Sequence, residues 1–156
     1  MEVQKMNINK YGLKFNNDRI GQLLKEETYE YEMDSCIIDS PEKAAELIEF
    51  VFDGSNLTQE AFWLIALNGG RKVAGVFTVS VGTLMSSLVH PREVFSRAIL
   101  AGAASIIIAH NHPSGSLDIS ENDREVTRRI RQAGDIIGIR LDDHVIVADG
   151  DFVSAY

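Results

Sequence analysis

The sequence has little cysteine and no long apolar run, and each shortage excludes a class of protein. Cys36 is the one cysteine in 156 residues, so no disulfide can form within the chain. The apolar stretches fall short of the roughly 20 residues that a membrane-spanning helix needs. The segment MEVQKMNINKYG contains no apolar core of the kind found in secretory signal peptides. We therefore predict a cytoplasmic protein without a membrane span.

Basic residues are scarce relative to acidic ones. The chain has 15 Lys and Arg against 23 Asp and Glu, which gives a formal net charge of -8. Phosphate backbones are usually bound by a basic face, so we expect no strong nucleic-acid binding. The hydrophobic share of 45% is ordinary for a globular protein, and the length predicts one domain with a sizeable core.

The apolar pattern predicts a mixed α/β fold. Ser40 followed by Pro41 is typical of a helix start, and Asn68-Gly69-Gly70 is typical of a β-hairpin turn. Spacing and composition predict helices from residue 41, after residue 91 and over 120–138, and strands over 61–68, 71–80, 105–110 and 139–147. Because strands and helices interleave and one hairpin is present, we predict a mixed β-sheet with helices packed on it.

The first 39 residues are polar and only weakly periodic. They contain one possible strand, DSCIID over residues 34–39. We interpret residues 1–39 as an N-terminal arm packed on a domain that spans residues 40–156, and not as a second domain.

The most informative stretch runs over residues 106–123, IIIAHNHPSGSLDISEND. His110 and His112 stand at positions i and i+2 of a strand end, so their side chains can point to one side and share a metal ion. Two ordinary histidines near a loop would give the same letters. Ser120 and Asp123 match the capping box of a helix start, which requires no metal. Both interpretations can hold, because a capped first turn would keep Asp123 facing the histidines.

The combination of His-x-His, Pro-Ser and Ser-x-x-Asp resembles the JAMM motif of the MPN+/JAB metalloproteases. The neighbouring segments HPREVF and LDDHVIV, together with HNHPSG, resemble the RadC branch of that superfamily. The resemblance covers roughly residues 55–156. It implies a JAB/MPN-like fold, with the three-layer arrangement of helices around a mixed sheet that cytidine deaminases share. It also implies a short form without the helix-hairpin-helix module of many relatives.

The resemblance implies Zn²⁺ bound by His110, His112 and Asp123, with water at a fourth position. Three nitrogen and oxygen ligands with one open position are also typical of catalytic zinc and not of structural zinc. The hydroxyl of Ser120 is implied as the donor that stabilises the oxyanion of the reaction.

The family pattern also requires an upstream glutamate as general base, and two candidates exist. Glu60 directly precedes the predicted strand over 61–68 and is the favoured one. Glu93 stands in the first turn of a predicted helix, where the helix dipole already explains an acidic residue. His144 could be a further ligand, but we predict a supporting or structural group because three ligands complete the set.

These features favour a zinc-dependent metallopeptidase or isopeptidase that cleaves an amide bond of a peptide or protein substrate. The alternative is a binding module in DNA processing or mobile-element biology, with a structural or vestigial metal site. The RadC name is associated with DNA repair, which keeps this alternative open. The three letters His-Asn-His alone do not indicate an HNH nuclease.

Overall fold

A computed structural model describes residues 2–82 and 89–156 of the chain. Within these residues one mixed sheet has the strand order β2-β1-β4-β3-β5-β6-β7. The elements are β1 (Gln4–Phe15), β2 (Gly21–Met33), α1 (Pro41–Phe52), β3 (Glu60–Leu67), β4 (Val73–Gly82), α2 (Pro91–Leu100), β5 (Ser105–Asn111), α3 (Glu121–Ile137), β6 (Arg140–Ala148) and β7 (Asp151–Ser154). The predicted α/β class and mixed sheet are confirmed.

The centre of the sheet is buried on both faces. Every residue of β5 is buried, as is every residue of β3 after Glu60. One face packs against α1, through a cluster that includes Leu47, Ile48, Trp63, Ile107 and Val145. The other packs against α2 and α3, through a cluster that includes Leu64, Phe95, Ile106, Ile108, Val126 and Ile130. The molecule therefore has three layers, and the continuous apolar runs of the central strands are explained by their double burial.

The helices begin where the sequence predicts. Pro41 opens α1 after Ser40, whose Oγ accepts a hydrogen bond from the Lys43 N–H at 3.2 Å. Asp53 ends the helix in a left-handed conformation. In the described parts of the chain, no helix is both long enough and apolar enough to cross a membrane.

Strand directions bring three chain segments to one edge of the sheet. β3 runs antiparallel to β5, so the first residues of β3 lie beside the last residues of β5, with Phe62 opposite His110. β5 and β6 are parallel, and α3 connects them. The loop over residues 112–120 therefore connects the end of β5 to the start of α3 at the edge where β3 begins.

The N-terminal segment contains strands that the sequence analysis did not predict. Residues 4–33 form an antiparallel β-hairpin, β1 and β2, and β1 joins the sheet in parallel to β4 at the pair Lys10 and Val76. The predicted strand over residues 34–39 is wrong: this segment is irregular, and the N–H of its buried Ile38 donates to the Arg71 carbonyl at 3.0 Å. The division at residues 39 and 40 stays a prediction.

Candidate metal centre

Three predicted ligands meet where β5 ends and α3 begins. His110 is the second-to-last residue of β5, and His112 is the first residue after the strand. Asp123 lies in the first turn of α3. The capping box is present, because Ser120 Oγ accepts from the Asp123 N–H at 3.0 Å and Asp123 Oδ2 accepts from the Ser120 N–H at 2.9 Å. The same hydrogen bonds that cap α3 thus also hold the Asp123 carboxylate towards the histidines.

The donor atoms of these residues are close enough to share one ion. The Nε2 atoms of His110 and His112 lie 3.1 Å apart. Asp123 Oδ1 lies 3.0 Å from the first and Oδ2 lies 3.3 Å from the second. All three ligand atoms fall within 4.8 Å of one another, and only 3% of His110 and 6% of Asp123 is exposed. In the described residues this is the group of histidine and acidic side chains that can hold a metal ion.

A hydrogen bond to the Ser116 carbonyl leaves the Nε2 atom of His112 free to bind a metal ion. Its Nδ1 lies 2.8 Å from the Ser116 carbonyl oxygen. A carbonyl can only accept, so Nδ1 carries a proton, and in the neutral ring Nε2 presents a lone pair. Two imidazole nitrogens and one carboxylate converging in this way form a donor set that suits a divalent transition-metal ion.

The pKa values follow from burial and from these contacts. Burial acts to raise the pKa of Asp123, but hydrogen bonds with His110 and His112 outweigh it and hold that pKa below its ordinary range. Burial lowers the pKa of His110 and brings that of His144 to about 3. The hydrogen bond with Asp123 raises the pKa of His112. The two most buried rings are therefore kept neutral, which is the form that binds metals.

A cleft of about 280 Å³ adjoins the centre. Its lining includes His110, Asp123, His144, Glu60, Phe62, Val89 and Val126, with the end of β4 at Ser80, Val81 and Gly82. Burial raises the pKa of Glu60 to about 7, while the nearby charges of His112 and Asp123 act in opposite directions. A carboxyl that titrates near neutral pH is suited to taking up and releasing protons there.

The second candidate base occupies a different setting. Glu93 lies in the first turn of α2, and its carboxylate pairs with Arg97 Nη1 at 3.1 Å. The same arginine also donates to the Glu93 carbonyl at 2.7 Å. Glu60 lines the cleft beside His110, whereas Glu93 is held in an ion pair on its own helix. The choice of Glu60 as base and of Ser120 as oxyanion donor stays a prediction.

Asn111 is a residue of this site that the sequence analysis left without a role. It is buried, its Oδ1 accepts from the Ala61 N–H at 2.7 Å, and its Nδ2 donates to the Gln59 carbonyl at 3.0 Å. The ladder of β3 and β5 stops at Phe62 and His110, and the Asn111 amide continues it with side-chain bonds. It therefore fixes the backbone on both sides of Glu60. A polar residue between two histidines at the end of an apolar strand was the signal for it.

Thr127 was also missed. It lies four residues after Asp123 on the same face of α3, and its Oγ1 lies 2.6 Å from His144 Nδ1. The i, i+4 spacing from a predicted ligand on a helix is the signal that could have identified it.

Comparison with known proteins agrees with the motif. The model of the RadC-like JAB domain family matches residues 38–156. A UPF0758 protein of Rubrobacter xylanophilus is 57% identical over 98 residues, covering 63% of this chain and 43% of the relative. The UPF0758 protein YsxA of Bacillus subtilis is 46% identical over 136 residues, covering 87% and 55%. The chain spans about half the length of the curated relatives it matches, whose names state no activity. It belongs to the RadC-like JAB domain family.

Proposed function

We propose that the protein is a zinc-dependent hydrolase of the JAMM type that cleaves an amide bond in a peptide or protein substrate. One observation carries the proposal: the ligand atoms of His110, His112 and Asp123 converge within 4.8 Å beside a cleft that also contains Glu60. The peptide or isopeptide nature of the substrate and the absence of strong nucleic-acid binding are parts of this proposal.

The residues present fit zinc. Two neutral imidazoles and a carboxylate are a three-residue set of the kind found in catalytic zinc sites, which keep one position open. When bound, zinc supplies Lewis acidity, which makes water nucleophilic near neutral pH and polarises a carbonyl oxygen.

Glu60 supplies the proton transfers in this proposal. Its carboxylate takes a proton from the attacking water and returns it to the departing amine, so that one group serves both steps. Burial raises its pKa to about 7, and the charge of a bound cation would lower it again, which favours the ionised form that accepts a proton. The hydrogen bonds between the Asn111 side-chain amide and the backbone of Gln59 and Ala61 hold Glu60 at the cleft.

Ser120 and the apolar lining complete the proposed site. Ser120 Oγ accepts the Asp123 N–H, which leaves its own hydroxyl proton available for a developing oxyanion. Phe62, Val89 and Val126 give the cleft an apolar lining. Its volume of about 280 Å³ suits the groups that flank a single bond of an extended chain better than a folded domain.

The experiment measures cleavage and metal content together. The purified protein is stripped with a chelator, reloaded with zinc, and presented with fluorogenic peptide and isopeptide libraries. We expect cleavage only in the zinc-loaded protein, with the circular dichroism spectrum unchanged by stripping, because the two apolar clusters form a core that does not depend on metal. Cleavage that survives complete stripping would contradict the proposal, and so would zinc-loaded protein that leaves every library intact.

A further inference from the structure

A chain of buried hydrogen bonds runs from His110 away from the candidate metal centre. His110 Nδ1 lies 2.8 Å from His144 Nε2, and His144 Nδ1 lies 2.6 Å from Thr127 Oγ1. Thr127 Oγ1 in turn lies 2.9 Å from the Asp123 carbonyl oxygen. His144 is 0% exposed and Thr127 is 5% exposed. This series of hydrogen bonds therefore starts at the candidate ligand His110 and ends on the backbone of the candidate ligand Asp123.

The chemistry of the groups sets the direction of this chain once His110 Nε2 serves as a ligand. A neutral imidazole has one N–H and one accepting nitrogen. If Nε2 of His110 is the ligand, its proton is on Nδ1, which donates to Nε2 of His144. His144 can accept there only with its own proton on Nδ1, which then donates to Thr127. The Thr127 hydroxyl donates in turn to the Asp123 carbonyl, which can only accept.

This arrangement differs from the one that supports His112. The His112 ring donates to the Ser116 carbonyl, an acceptor whatever its surroundings. His110 depends on a second imidazole, which accepts in one tautomer and donates in the other. With the opposite tautomer, His144 would place its N–H against His110 Nδ1 and leave the proton of His110 on Nε2, where a metal must bind. Because the Thr127 hydroxyl gives its proton to the Asp123 carbonyl, its oxygen is left to accept from His144, which favours the His144 tautomer with the proton on Nδ1.

We infer that Thr127 and His144 are positioning residues that hold His110 with Nδ1 protonated and Nε2 free for a metal ion. This inference rests on the metal site of the proposed function. It assigns an effect on metal affinity to Thr127, whose hydroxyl contacts neither His110 nor the ligand atoms of Asp123 but bonds His144 and the Asp123 backbone carbonyl. Partners of this kind typically change metal affinity by about 10- to 100-fold when removed.

The first arm of the experiment measures zinc affinity by competition with a chromophoric chelator. Thr127→Val keeps the shape of the side chain and removes its hydroxyl, and Thr127→Ser restores the hydroxyl. Thr28→Val makes the same change on the exposed hairpin, where Thr28 Oγ1 donates to Asn9. We expect about 10- to 100-fold weaker binding for Thr127→Val. The serine variant and the hairpin control should bind like wild type.

The second arm reads the tautomers directly, by long-range proton–nitrogen NMR of zinc-loaded wild type and of metal-free Thr127→Val. In wild type we expect the proton of His110 and that of His144 on Nδ1. In metal-free Thr127→Val, where His110 can carry its proton on Nε2 and accept at Nδ1, we expect the His144 proton to leave Nδ1 for Nε2. A role in packing alone would leave these signals and the zinc affinity unchanged, because valine fills the same space.

The outcomes separate this inference from the hydrolase proposal. Equal zinc affinities for Thr127→Val and wild type would overturn it, as would a wild-type His144 that carries its proton on Nε2. Because the second observation is made on wild type, it holds even where a variant folds poorly. Tight zinc binding without amide cleavage would contradict the hydrolase proposal and leave the inference about Thr127 and His144 standing. Absence of zinc binding in wild type would overturn both.

Discussion

The centre of the sheet and the N-terminal hairpin are built in different ways. All seven residues of β5 are buried, and the strand ends in polar side chains that are themselves buried. Of the 13 residues of β2, only Tyr31 and Met33 are buried. β1 contributes one buried residue, Ile8. The hairpin is thus held by its backbone ladder and a few apolar contacts, whereas the centre combines an apolar core with paired polar groups.

Because of this difference, we expect substitutions in the two regions to affect different properties, the metal centre in one and the free energy of unfolding in the other. A buried polar side chain costs free energy unless each of its groups finds a partner. His110 and Asn111 meet that condition through specific partners, so changes there should affect the metal centre and the cleft. The hairpin contributes apolar area to the α1 side of the core, so changes there should affect only the free energy of unfolding.

The largest effect is expected for removal of a ligand. His112→Ala deletes one of the three converging donor groups while leaving β5 intact, because His112 lies beyond the strand. We expect the zinc content, measured by elemental analysis, to fall from one ion per chain to background. His90→Asn is the matched control, since it replaces a histidine that caps α2 with another good capping residue. Equal zinc in wild type and His112→Ala would remove the assignment.

The next effect concerns the two glutamates. Glu60→Gln should keep zinc and fold but lower turnover at least about 100-fold, the scale of a missing general base. Glu93→Gln should change turnover far less, because its carboxylate is occupied by Arg97 on the same helix. Both are measured on the peptide substrate found in the library, in proteins matched for zinc content. The reverse ranking would give the role of base to Glu93.

The same contrast explains what could be predicted from the sequence. Ser40 and Ser120 mark helix starts through bonds to residues three positions away, so local pattern sufficed for α1 and α3. The hairpin was missed because β1 has one fully buried side chain, Ile8, and therefore no apolar alternation to recognise. The bond from His110 to His144 spans 34 positions, and only the pairing of β5 with β6 brings those rings together.

A moderate effect is expected in the hairpin core. Ile8 is 0% exposed and packs in the cluster on the α1 side of the sheet. Ile8→Val removes one methylene group, which should lower the free energy of unfolding by about 0.5–1.5 kcal/mol. Chemical denaturation gives this value, and zinc affinity should not change. A loss of zinc affinity would show that the hairpin and the metal centre are coupled, which would break the separation drawn above.

The smallest effect is expected at Arg19, in the turn between β1 and β2. Its φ of 64° lies in the left-handed region, which costs a residue with a side chain roughly 1–2 kcal/mol. Arg19→Gly relieves that cost but adds freedom to the unfolded chain, worth about 0.4–1 kcal/mol. It also removes the guanidinium that lies 4.5 Å from the Phe15 ring, a contact worth about 0.5–1 kcal/mol at an exposed site. These contributions nearly cancel.

We therefore expect the free energy of unfolding of Arg19→Gly to lie within about 0.5 kcal/mol of the wild-type value, which is the difference between those opposing contributions. Asn16→Ala is the matched comparison, because Asn16 Oδ1 accepts from the N–H groups of Asp18 and Ile20 at 2.9 and 3.0 Å. Losing these bonds should cost about 1 kcal/mol. If Arg19→Gly were the more damaging change, the turn would be held by the arginine–aromatic contact and not by Asn16. The hairpin would then depend on side-chain packing as the centre of the sheet does.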